Sequence, residues 1–276
     1  MNIAQFLIAY VQIIKVKLNQ DFKIAIRIML KNWLLQKRTF PEFLATNRVY
    51  WKSKLKILSG PFQGMKYVEN SKGGAYFPKL LGTYEKELNP ILHRFFEKRF
   101  AKIVNVGGGE GYFSVGLANR FKGCPVEVFE PDFFACYLIE KLANLNNVTG
   151  TVKINAQLCN PSDLENSLEK SEHNFIFMDV EGAELELLDP TKVPSLKNSS
   201  IIVEIHDTIS PILGETIKNR LFHTHSFHEV WAVERNIHDL TISMGWKRIF
   251  KSAFLKLMNE GRGSRMRWFV FEKLNR

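Results

Sequence analysis

Cysteine and long apolar runs are both scarce in this chain. Its 276 residues include three cysteines, Cys124, Cys136 and Cys159, whose spacing matches neither a disulfide framework nor a zinc site. The sequence has no run of 18 or more apolar residues, so a membrane-spanning helix is not expected. The first residues also lack the basic start and the small-residue cleavage site of a signal peptide. These absences predict a globular protein of the reducing cytoplasm.

Charge is distributed unevenly along the sequence. Residues 1–60 hold eleven Lys and Arg against two acids, and residues 246–276 hold nine against two. Residues 61–245 hold 18 against 24, so the net charge of +10 comes from the two ends. Basic surfaces attract anionic partners such as a membrane face, a nucleic acid or an acidic substrate.

Residues 3–38 are predicted to be helical, because they contain long apolar stretches without Pro or Gly. Lys23, Arg27 and Lys31 recur every four residues and form a basic stripe opposite an apolar face. Two interpretations stay open. In one, the stripe lies on an anionic membrane surface, which makes the protein peripheral to a membrane. In the other, it is the solvated face of a helix packed on the body of the protein or on a second subunit of a homo-oligomer.

The most informative segment is a glycine-rich turn between a predicted strand and a predicted helix. Residues 103–106 form an apolar run, Gly107, Gly109 and Gly111 interrupt it, and an amphipathic helix follows. Glycines at such a turn let a ligand lie directly against main-chain N–H groups at the helix N-terminus. The next apolar strand ends in Glu130, whose carboxylate can accept hydrogen bonds from both hydroxyls of a ribose. The two features predict a nucleoside-bearing cofactor.

The glycine spacing favours S-adenosylmethionine over a dinucleotide. Dinucleotide sites follow Gly-x-Gly-x-x-Gly, whereas this chain has Gly107-x-Gly109-x-Gly111. S-adenosylmethionine has no pyrophosphate to cradle, and such a loop suits its methionine portion. Methyltransferases usually carry an acid two residues before the first glycine, where this chain has Asn105, which keeps an acceptor oxygen without the charge. The alternative is that the glycines only permit a tight strand–helix turn.

Predicted strands and helices alternate from residue 103 to about residue 224, which indicates a doubly wound, mostly parallel α/β sheet. The predicted strands are 103–106, 126–130, 151–155, 174–179 and 200–206. The predicted helices are 111–121, 132–146, 161–169, 182–189 and 211–222. Two further strands, 227–234 and 266–273, are expected to pair and close the sheet edge.

The region before this alternation is predicted to be an extension. A β-hairpin is predicted over 54–68, because apolar and polar residues alternate around a Gly-Pro turn. A helix capped by Thr83 is expected to run to about Phe100. We therefore predict two parts, a basic helical and hairpin extension over 1–80 and a cofactor-binding domain over 81–276.

Ionisable side chains follow two neighbouring predicted strands. The fourth strand ends in Asp179, with Glu181 two residues on, and the fifth ends with Glu204, His206 and Asp207. Adjacent parallel strands lie about 5 Å apart, so the two groups are expected to face each other across the cleft. Helix caps and solvated loops would explain single acids. Five ionisable groups beside a cofactor loop favour a functional site.

Two mechanisms could use these groups, and the sequence leaves both open. In the first, His206 accepts the proton of an acceptor hydroxyl as general base, oriented by Asp207 or Glu181. In the second, Asp179, Glu204 and His206 bind Mg²⁺ or another divalent ion, which lowers the pKa of the hydroxyl. The carboxylate-rich ligand set favours a hard ion over zinc.

The order of these motifs resembles the FkbM-type methyltransferases, a branch of the class I S-adenosylmethionine-dependent enzymes. The resemblance covers about residues 80–210. Its motifs are Val104-Asn-Val-Gly, Gly111-Tyr-Phe-Ser, Phe129-Glu-Pro, Met178-Asp-Val-Glu-Gly-Ala-Glu and Val203-Glu-Ile-His. It implies the seven-stranded, Rossmann-like class I sheet and, for this branch, O-methylation, often of sugars or sugar-bearing natural products.

The resemblance also implies roles for single residues. The loop 107–111, with Glu110 in it, would hold the methionine portion of the cofactor, and Asn105 occupies the position of the family's acid. Glu130 would hold the ribose, and Asp179 would lie next to the methyl group. The implied acceptor is a small polar or carbohydrate-like molecule.

The C-terminal segment contains Arg262, Arg265 and Arg267 beside flexible glycines. These arginines are predicted either to clamp a phosphate or carboxylate of the acceptor or to belong to a solvated turn. Two other functions remain as alternatives. A nucleic-acid methyltransferase would explain the basic ends, but no amine-methylation motif and no RNA-binding module accompany them. A cofactor-fold scaffold that has lost activity at an anionic surface would explain Asn105.

Overall fold

The computed structural model describes most of the chain beyond residue 38. The described residues are 39–69, 71, 75–170, 172–207, 211–241, 243, 249–262 and 266–274. The predicted helix over 3–38, with its basic stripe, lies outside the described residues, and so does Arg265. Among the helices of the described part, none is long and apolar enough to cross a membrane.

A seven-stranded sheet forms the centre of the protein and confirms the predicted, mostly parallel α/β fold. Its order is β3-β2-β1-β4-β5-β7-β6, and β7 runs antiparallel to both of its neighbours. The strands are β1 (Lys102–Val106), β2 (Val126–Phe129), β3 (Val152–Asn155), β4 (Asn174–Met178), β5 (Ser199–Ile205), β6 (His225–Trp231) and β7 (Arg267–Lys273).

Nine α-helices of the described part surround the sheet or precede it. They are α1 (Phe40–Ser53), α2 (Tyr76–Leu81), α3 (Asn89–Phe96), α4 (Tyr112–Arg120), α5 (Phe133–Leu145), α6 (Pro161–Ser167), α7 (Glu184–Leu187), α8 (Leu213–Leu221) and α9 (Lys251–Met258). Short 3₁₀ turns lie at Lys86–Leu88, Pro194–Asn198 and Ile237–Asp239.

Alternate residues of the strands build two hydrophobic cores, one on each face of the sheet. Ile103 and Phe175 belong to one core, and their chain neighbours Val104 and Ile176 belong to the other. Successive side chains of a strand point to opposite faces, so strands covered on both faces need continuous apolar runs. That requirement explains why these segments are apolar throughout and why sequence reasoning located them.

Residues of the predicted extension share the first of these cores. Val49, Ile57 and Tyr67 are buried in the same cluster as Ile103. Helix α1 packs on α9, far along the chain, and also on α2. The division of the chain at residue 80 stays a prediction.

The hairpin predicted over 54–68 is a loop closed by a single antiparallel bridge between Lys56 and Lys66. Gly60 has a positive φ of 76°, and a Cβ there would lie 2.6 Å from the carbonyl oxygen of Gly82. This close approach packs the loop beside α2. Backbone hydrogen bonds from Ile57 N–H to Met65 O, from Gly64 N–H to Ile57 O and from Tyr67 N–H to Leu55 O join its two arms.

Two predicted helices are shorter in the structure. The backbone N–H groups of Thr83 and Tyr84 donate to the carbonyl oxygen of Pro78 at 2.9 and 3.1 Å, and Glu85 has a left-handed φ of 45°. These residues close a turn behind α2, so only the second half of the helix predicted from Thr83 forms, as α3. The helix predicted over 182–189 is the short α7.

The last two predicted strands are present and pair with each other. Their order in the sheet is the reverse of their order in the chain. Strand β7 lies between β5 and β6, and β6 forms the edge. The register pairs Glu204 of β5 with Trp268 of β7, and Val230 of β6 with the same residue. Trp268 is consequently buried in the sheet interior.

Candidate active site

The glycine loop after β1 lies directly against the end of β4. Gly107 has a φ of 81°, and a Cβ on it would lie 1.8 Å from the carbonyl oxygen of Asp179. The backbone N–H of Asp179 donates to the carbonyl oxygen of Val106 at 2.9 Å. Only glycine permits so close an approach with a left-handed backbone. The loop and Asp179 are thus joined by main-chain contact.

Open space lies above the next glycine of the loop. Gly109 has a φ of 51°, and a Cβ there would meet no atom within 4 Å. Its N–H donates to Glu130 Oε2 at 2.8 Å, while Glu130 Oε1 accepts from the N–H of Asp132 at 2.9 Å. Glu130 therefore lies at the loop, as the strand pattern predicted. The open space and the adjoining carboxylate fit the nucleoside-bearing cofactor expected from the sequence.

Asn105, two residues before the first glycine of the loop, lies in β1 and is buried beside β4. Its Nδ2 donates to the carbonyl oxygen of Phe177 at 3.2 Å. Its Oδ1 is buried and has no hydrogen-bond partner among the described residues. An unpaired buried acceptor costs free energy, so a hydrogen-bond donor on a ligand would stabilise it.

Glu110 has a different environment from its glycine neighbours. Its carboxylate accepts hydrogen bonds from Tyr67 Oη at 2.6 Å, Ser71 Oγ at 2.8 Å and Lys79 Nζ at 2.5 Å. Burial opposes ionisation, but Lys79 and the hydrogen bonds lower the pKa of Glu110 below its ordinary value. The carboxylate ties the loop to the segment before α2 and to Lys79 in α2 itself, and its predicted role toward the cofactor stays a prediction.

Asp179, Glu204 and His206 come together at the carboxyl ends of β4 and β5. One ligand atom from each of the three lies within 4.8 Å of the other two. His206 Nε2 is 3.8 Å from Asp179 Oδ1. The predicted convergence of these side chains across the cleft is thus present in the structure.

Glu184 is the acid that orients His206. It is the first residue of α7, in the segment between β4 and β5. His206 Nδ1 lies 2.5 Å from Glu184 Oε1. Burial disfavours the charged imidazole, but the hydrogen bond and the charge of Glu184, followed by Asp179, raise the pKa of His206. The ring is therefore held with Nε2 toward Asp179 and is a stronger base than a free histidine.

Asp207 and Glu181, the two acids expected to orient His206, do not contact it through a hydrogen bond. Asp207 is bound by Arg267, whose Nε and Nη2 lie 2.7 and 2.9 Å from the two carboxylate oxygens. Glu181 is exposed and acts on His206 only through its charge. The sequence does not show which of the carboxylates of Glu181, Glu184 and Asp207 points toward the imidazole of His206.

Arg262 holds a group of buried acids behind Asp179. Its guanidinium bonds Glu204 at 2.9 Å, Glu260 at 3.1 Å and Tyr84 Oη at 2.8 Å, and it pairs with Glu85. Glu85, Glu204 and Glu260 are each nearly inaccessible to solvent. One guanidinium thus faces three carboxyl groups, with Asp179 nearby.

Burial and mutual repulsion favour protonation in this group. Burial, then the charges of Asp179 and Glu85, raise the pKa of Glu204 to about 10. Burial raises the pKa of Glu85 to about 8, although Arg262 opposes the shift. The acids beside Asp179 are therefore harder to ionise than free carboxyl groups, and a neighbouring cation stabilises their charged form.

A cavity of about 530 Å³ adjoins this group, with Arg262 in its wall. Charged side chains of both signs line it, and Val233 and Leu255 add apolar surface. Its volume is in the range of small-molecule sites.

The described arginines near the C-terminal strand are paired with acids, and their predicted role as a clamp for an acceptor stays a prediction. Arg262 is occupied by the buried acids, and Arg267 is occupied by Asp207 and by Glu229 at 2.6 Å. Arg265 lies outside the described residues. Both described arginines cross-link acidic side chains, and Arg262 also borders the cavity described above.

Sequence reasoning missed three contributors to the site: Glu85, Glu184 and the structural role of Arg262. Glu184 is part of the Asp-Val-Glu-Gly-Ala-Glu motif, so its place in that motif was the available signal. Glu85 reaches the site through a turn in which its own backbone is left-handed. Such a backbone is uncommon for a residue other than glycine, so the sequence does not predict it. Arg262 is 177 residues from Glu85 in the chain.

Comparisons with known proteins find similar solved structures but no matching family. No model of a protein family and no curated protein matches the chain. Among solved structures, it is similar to an O-methyltransferase from Bacillus cereus in complex with SAH, at 15% identity and a TM-score of 0.43, covering 71% of this chain and 80% of that one. It is also similar to a putative O-methyltransferase from Klebsiella pneumoniae, at 12% identity and a TM-score of 0.42, covering 89% and 96%.

A precorrin-6y C5,15-methyltransferase from Geobacter metallireducens GS-15 is similar at 11% identity and a TM-score of 0.44, covering 69% of this chain and 87% of that one. Identities this low do not transfer a substrate. The seven-stranded mixed sheet, with its antiparallel β7, is the class I methyltransferase fold.

Proposed function

We propose that this protein is an S-adenosylmethionine-dependent methyltransferase that acts on a hydroxyl of a small polar or carbohydrate-like acceptor. The observation that carries the proposal is the main-chain contact between the glycine loop and Asp179, which joins the cofactor loop to Asp179, Glu204 and His206. The motif order adds the proposal that the chain belongs to the FkbM-type branch.

Each residue at the loop is proposed to contact a different part of the cofactor. The space above Gly109 would receive the methionine portion, Glu130 would accept hydrogen bonds from the ribose, and Asn105 Oδ1 would accept one from a ligand donor. When bound, S-adenosylmethionine supplies an electrophilic methyl group on a sulfonium. Asp179, whose side chain is 34% exposed, presents a carboxylate to the cleft at this point.

His206 is the proposed general base for the acceptor hydroxyl. Its Nδ1 is held by Glu184, which leaves Nε2 to accept the proton and stabilises the imidazolium that results. The raised pKa of His206 favours this transfer. Glu184 is a positioning residue in this scheme, because it acts through the ring.

Metal binding at the same three residues is the second form of the proposal. Asp179, Glu204 and His206 offer two carboxylates and one imidazole at distances that fit one ion. This donor set suits Mg²⁺ or another divalent ion, which would lower the pKa of a bound hydroxyl. The surplus of buried acids behind Arg262 also favours a cation here.

The cavity that Arg262 borders is the proposed acceptor site. It combines carboxylates and basic groups such as Arg235 and Lys256 with apolar surface from Val233 and Leu255. Such a lining suits a molecule with many hydroxyl groups, each of which can donate and accept. We propose a sugar-like acceptor on this ground.

The first test is calorimetric titration of the full chain with S-adenosylmethionine and, in parallel, with NAD. We expect a dissociation constant on the order of micromolar for S-adenosylmethionine and none measurable for NAD. Gly109→Val should abolish binding by filling the open space. Gly123→Val is the matched control, because Gly123 also has a positive φ and open surroundings.

Each outcome separates the competing functions. Equal binding by wild type and Gly109→Val would contradict the assignment of the loop. Absence of binding to either cofactor would favour the scaffold alternative. Salt-sensitive binding of RNA or DNA in place of small acceptors would favour a nucleic-acid methyltransferase.

The metal form is tested by repeating the titration with Mg²⁺. Tighter binding with Mg²⁺ that disappears in Glu204→Gln would support the ligand set. Glu186→Gln, which removes an exposed carboxylate after β4, is the control. Binding and turnover that are independent of Mg²⁺ would leave His206 as the base.

An acceptor screen that starts with sugars follows. Asp179→Asn should lower turnover by roughly 10²–10⁴-fold and the affinity for S-adenosylmethionine much less. Unchanged turnover would contradict the role of Asp179 next to the methyl group. Attachment of residues 3–38 to a membrane, a cytoplasmic location and self-association stay predictions.

A further inference from the structure

A second cavity, also of about 530 Å³, lies at the opposite edge of the sheet, where the parallel strands begin. Its lining comes from the residues before β1 and β4, from the start of β6 and from the end of β7. Four of the lining side chains are basic: Lys98, Arg99, His173 and Lys273. The active-site features described above lie at the other edge.

The acid in this lining is already neutralised. Glu272 pairs with both Arg94 and Lys98. Arg99 and Lys273 form no ion pair with any described residue. Two cations without a counter-charge therefore line a concave surface, where walls of low dielectric strengthen their field.

The pKa of His173 is affected by this positive potential. Its Nε2 lies 2.9 Å from Ser200 Oγ, and its ring packs on Phe100 with the centroids 4.8 Å apart. Burial, then the charges of Lys273 and Lys98, lower the pKa of His173. The neutral ring is fixed in place; of the two cations, Lys98 is paired with Glu272, whereas Lys273 forms no ion pair with a described acid.

We propose that this cavity binds a small anion that carries a phosphoryl or sulfuryl group, held by Arg99 and Lys273. Arginine bonds the oxygens of such a group in a planar, two-pronged arrangement, and lysine adds a point charge. The volume suits a small molecule. The lining residues include no phenylalanine, tyrosine or tryptophan on which a nucleic-acid base could stack, which favours a small anion over RNA or DNA.

The site is independent of the proposed methyl transfer. Ser200 and Glu204 lie near opposite ends of β5, and the four residue steps between them along the strand span roughly 13 Å. The anion would therefore bind away from Asp179, Glu204 and His206. Failure of either proposal would not affect the other.

The test is titration of the full chain with inorganic phosphate, and separately with sulfate, at constant ionic strength. The imidazole resonances of His173 are followed by NMR and assigned by their absence in His173→Gln. We expect a saturable shift of these resonances. Lys273→Gln should weaken binding roughly tenfold, and so should Arg99→Gln.

Lys251→Gln is the matched control, because it removes one exposed positive charge from α9 without touching the cavity. It should leave the affinity within about twofold. Stronger binding of phosphate identifies a phosphoryl ligand, and stronger binding of sulfate identifies a sulfuryl ligand. Because Arg99 is exposed, its variant tests the site without a risk to folding.

A response that does not saturate would overturn the proposal, and so would equal affinity in wild type and in both variants. A short RNA that displaces phosphate at far lower concentration would also overturn it, in favour of a nucleic-acid surface.

Discussion

The two edges of the sheet carry charged groups of opposite sign, and the groups differ in burial and in pairing. At the carboxyl edge, Glu85, Glu184 and Glu204 are buried, and Arg262 and His206 are the cations that contact them. At the amino edge, cations such as Arg99 and Lys273 line an open cavity with one neutralised acid. The first edge has buried charges that depend on one another, and the second has exposed charges that water stabilises.

The difference indicates where chemistry is concentrated. Buried carboxyl groups that share a proton and a guanidinium have strongly shifted pKa values, which is typical of catalytic sites. Exposed cations are suited to attract and hold an anion without a change in their own protonation. The basic total of the chain, +10, therefore says little about its proposed active site, which is acidic.

The largest expected effect comes from removing the cation that the buried acids share. Arg262→Gln should lower the free energy of unfolding by about 3–5 kcal/mol, because it leaves buried acids without their partner. Urea unfolding measures the loss. Arg120→Gln, at an exposed arginine over the ring of Phe96, should cost far less. A loss below about 1 kcal/mol would mean that protons, not Arg262, stabilise the acids.

The next effect concerns the contact between the glycine loop and β4. Gly107→Ala should cost roughly 3 kcal/mol, since its Cβ would overlap the carbonyl oxygen of Asp179 and its backbone is left-handed. Gly150→Ala, in open space, is the control for the added methyl group. Thermal unfolding compares the two variants. Equal stability would show that the loop can move away from Asp179.

A smaller effect is expected at Glu127, near the amino end of β2. Burial opposes ionisation, but hydrogen bonds from Lys102, Lys153 and Asn155 lower the pKa of Glu127 to about 2 from its ordinary 4.5. A lowered pKa stabilises the fold above pH 4.5, and this contribution is lost as the pH falls from 4.5 to about 2.

Glu127→Gln should therefore lower stability at neutral pH by about 1 kcal/mol and flatten the loss of stability over that acid range. Urea unfolding at a series of pH values measures both changes. Glu140→Gln, at an exposed acid on α5, should leave the pH profile of the wild type intact. An unchanged profile in Glu127→Gln would contradict the assignment.

The smallest effect is expected at the amino edge itself. Lys273→Gln should change the free energy of unfolding by less than about 0.5 kcal/mol, because the ammonium pairs with no described acid. Urea unfolding in parallel with Arg262→Gln gives the direct contrast between the edges. A loss comparable with that of Arg262→Gln would remove the distinction drawn between them.

Most of the fold could be predicted from the sequence, because buried parallel strands require continuous apolar runs. The apolar runs at residues 103–106 and 174–179 predicted β1 and β4 in this way. The convergence of Asp179, Glu204 and His206 followed from the same geometry, since the carboxyl ends of parallel strands meet at one edge.

The remainder depended on contacts that no local pattern encodes. Glu85 reaches the site through a left-handed turn, and Arg262 reaches it from a segment 177 residues away. The choice of Glu184 over Asp207 for His206 depends on side-chain direction at the strand ends. The local pattern of the last two strands does not encode the insertion of β7 between β5 and β6 either, because an antiparallel pair at the edge satisfies the same pattern; it belongs to the class I sheet that the motif resemblance implied.

That insertion has a consequence for how the protein is made. Synthesis proceeds from the N-terminus, so β5 and β6 leave the ribosome before β7, the strand that separates them. Until then β5 presents an unpaired edge, and β6 has no neighbouring strand in the sheet. Unpaired strand edges invite association with other chains during folding. The nascent chain is therefore expected to need protection, by a chaperone or by rapid completion, in the interval between β6 and β7.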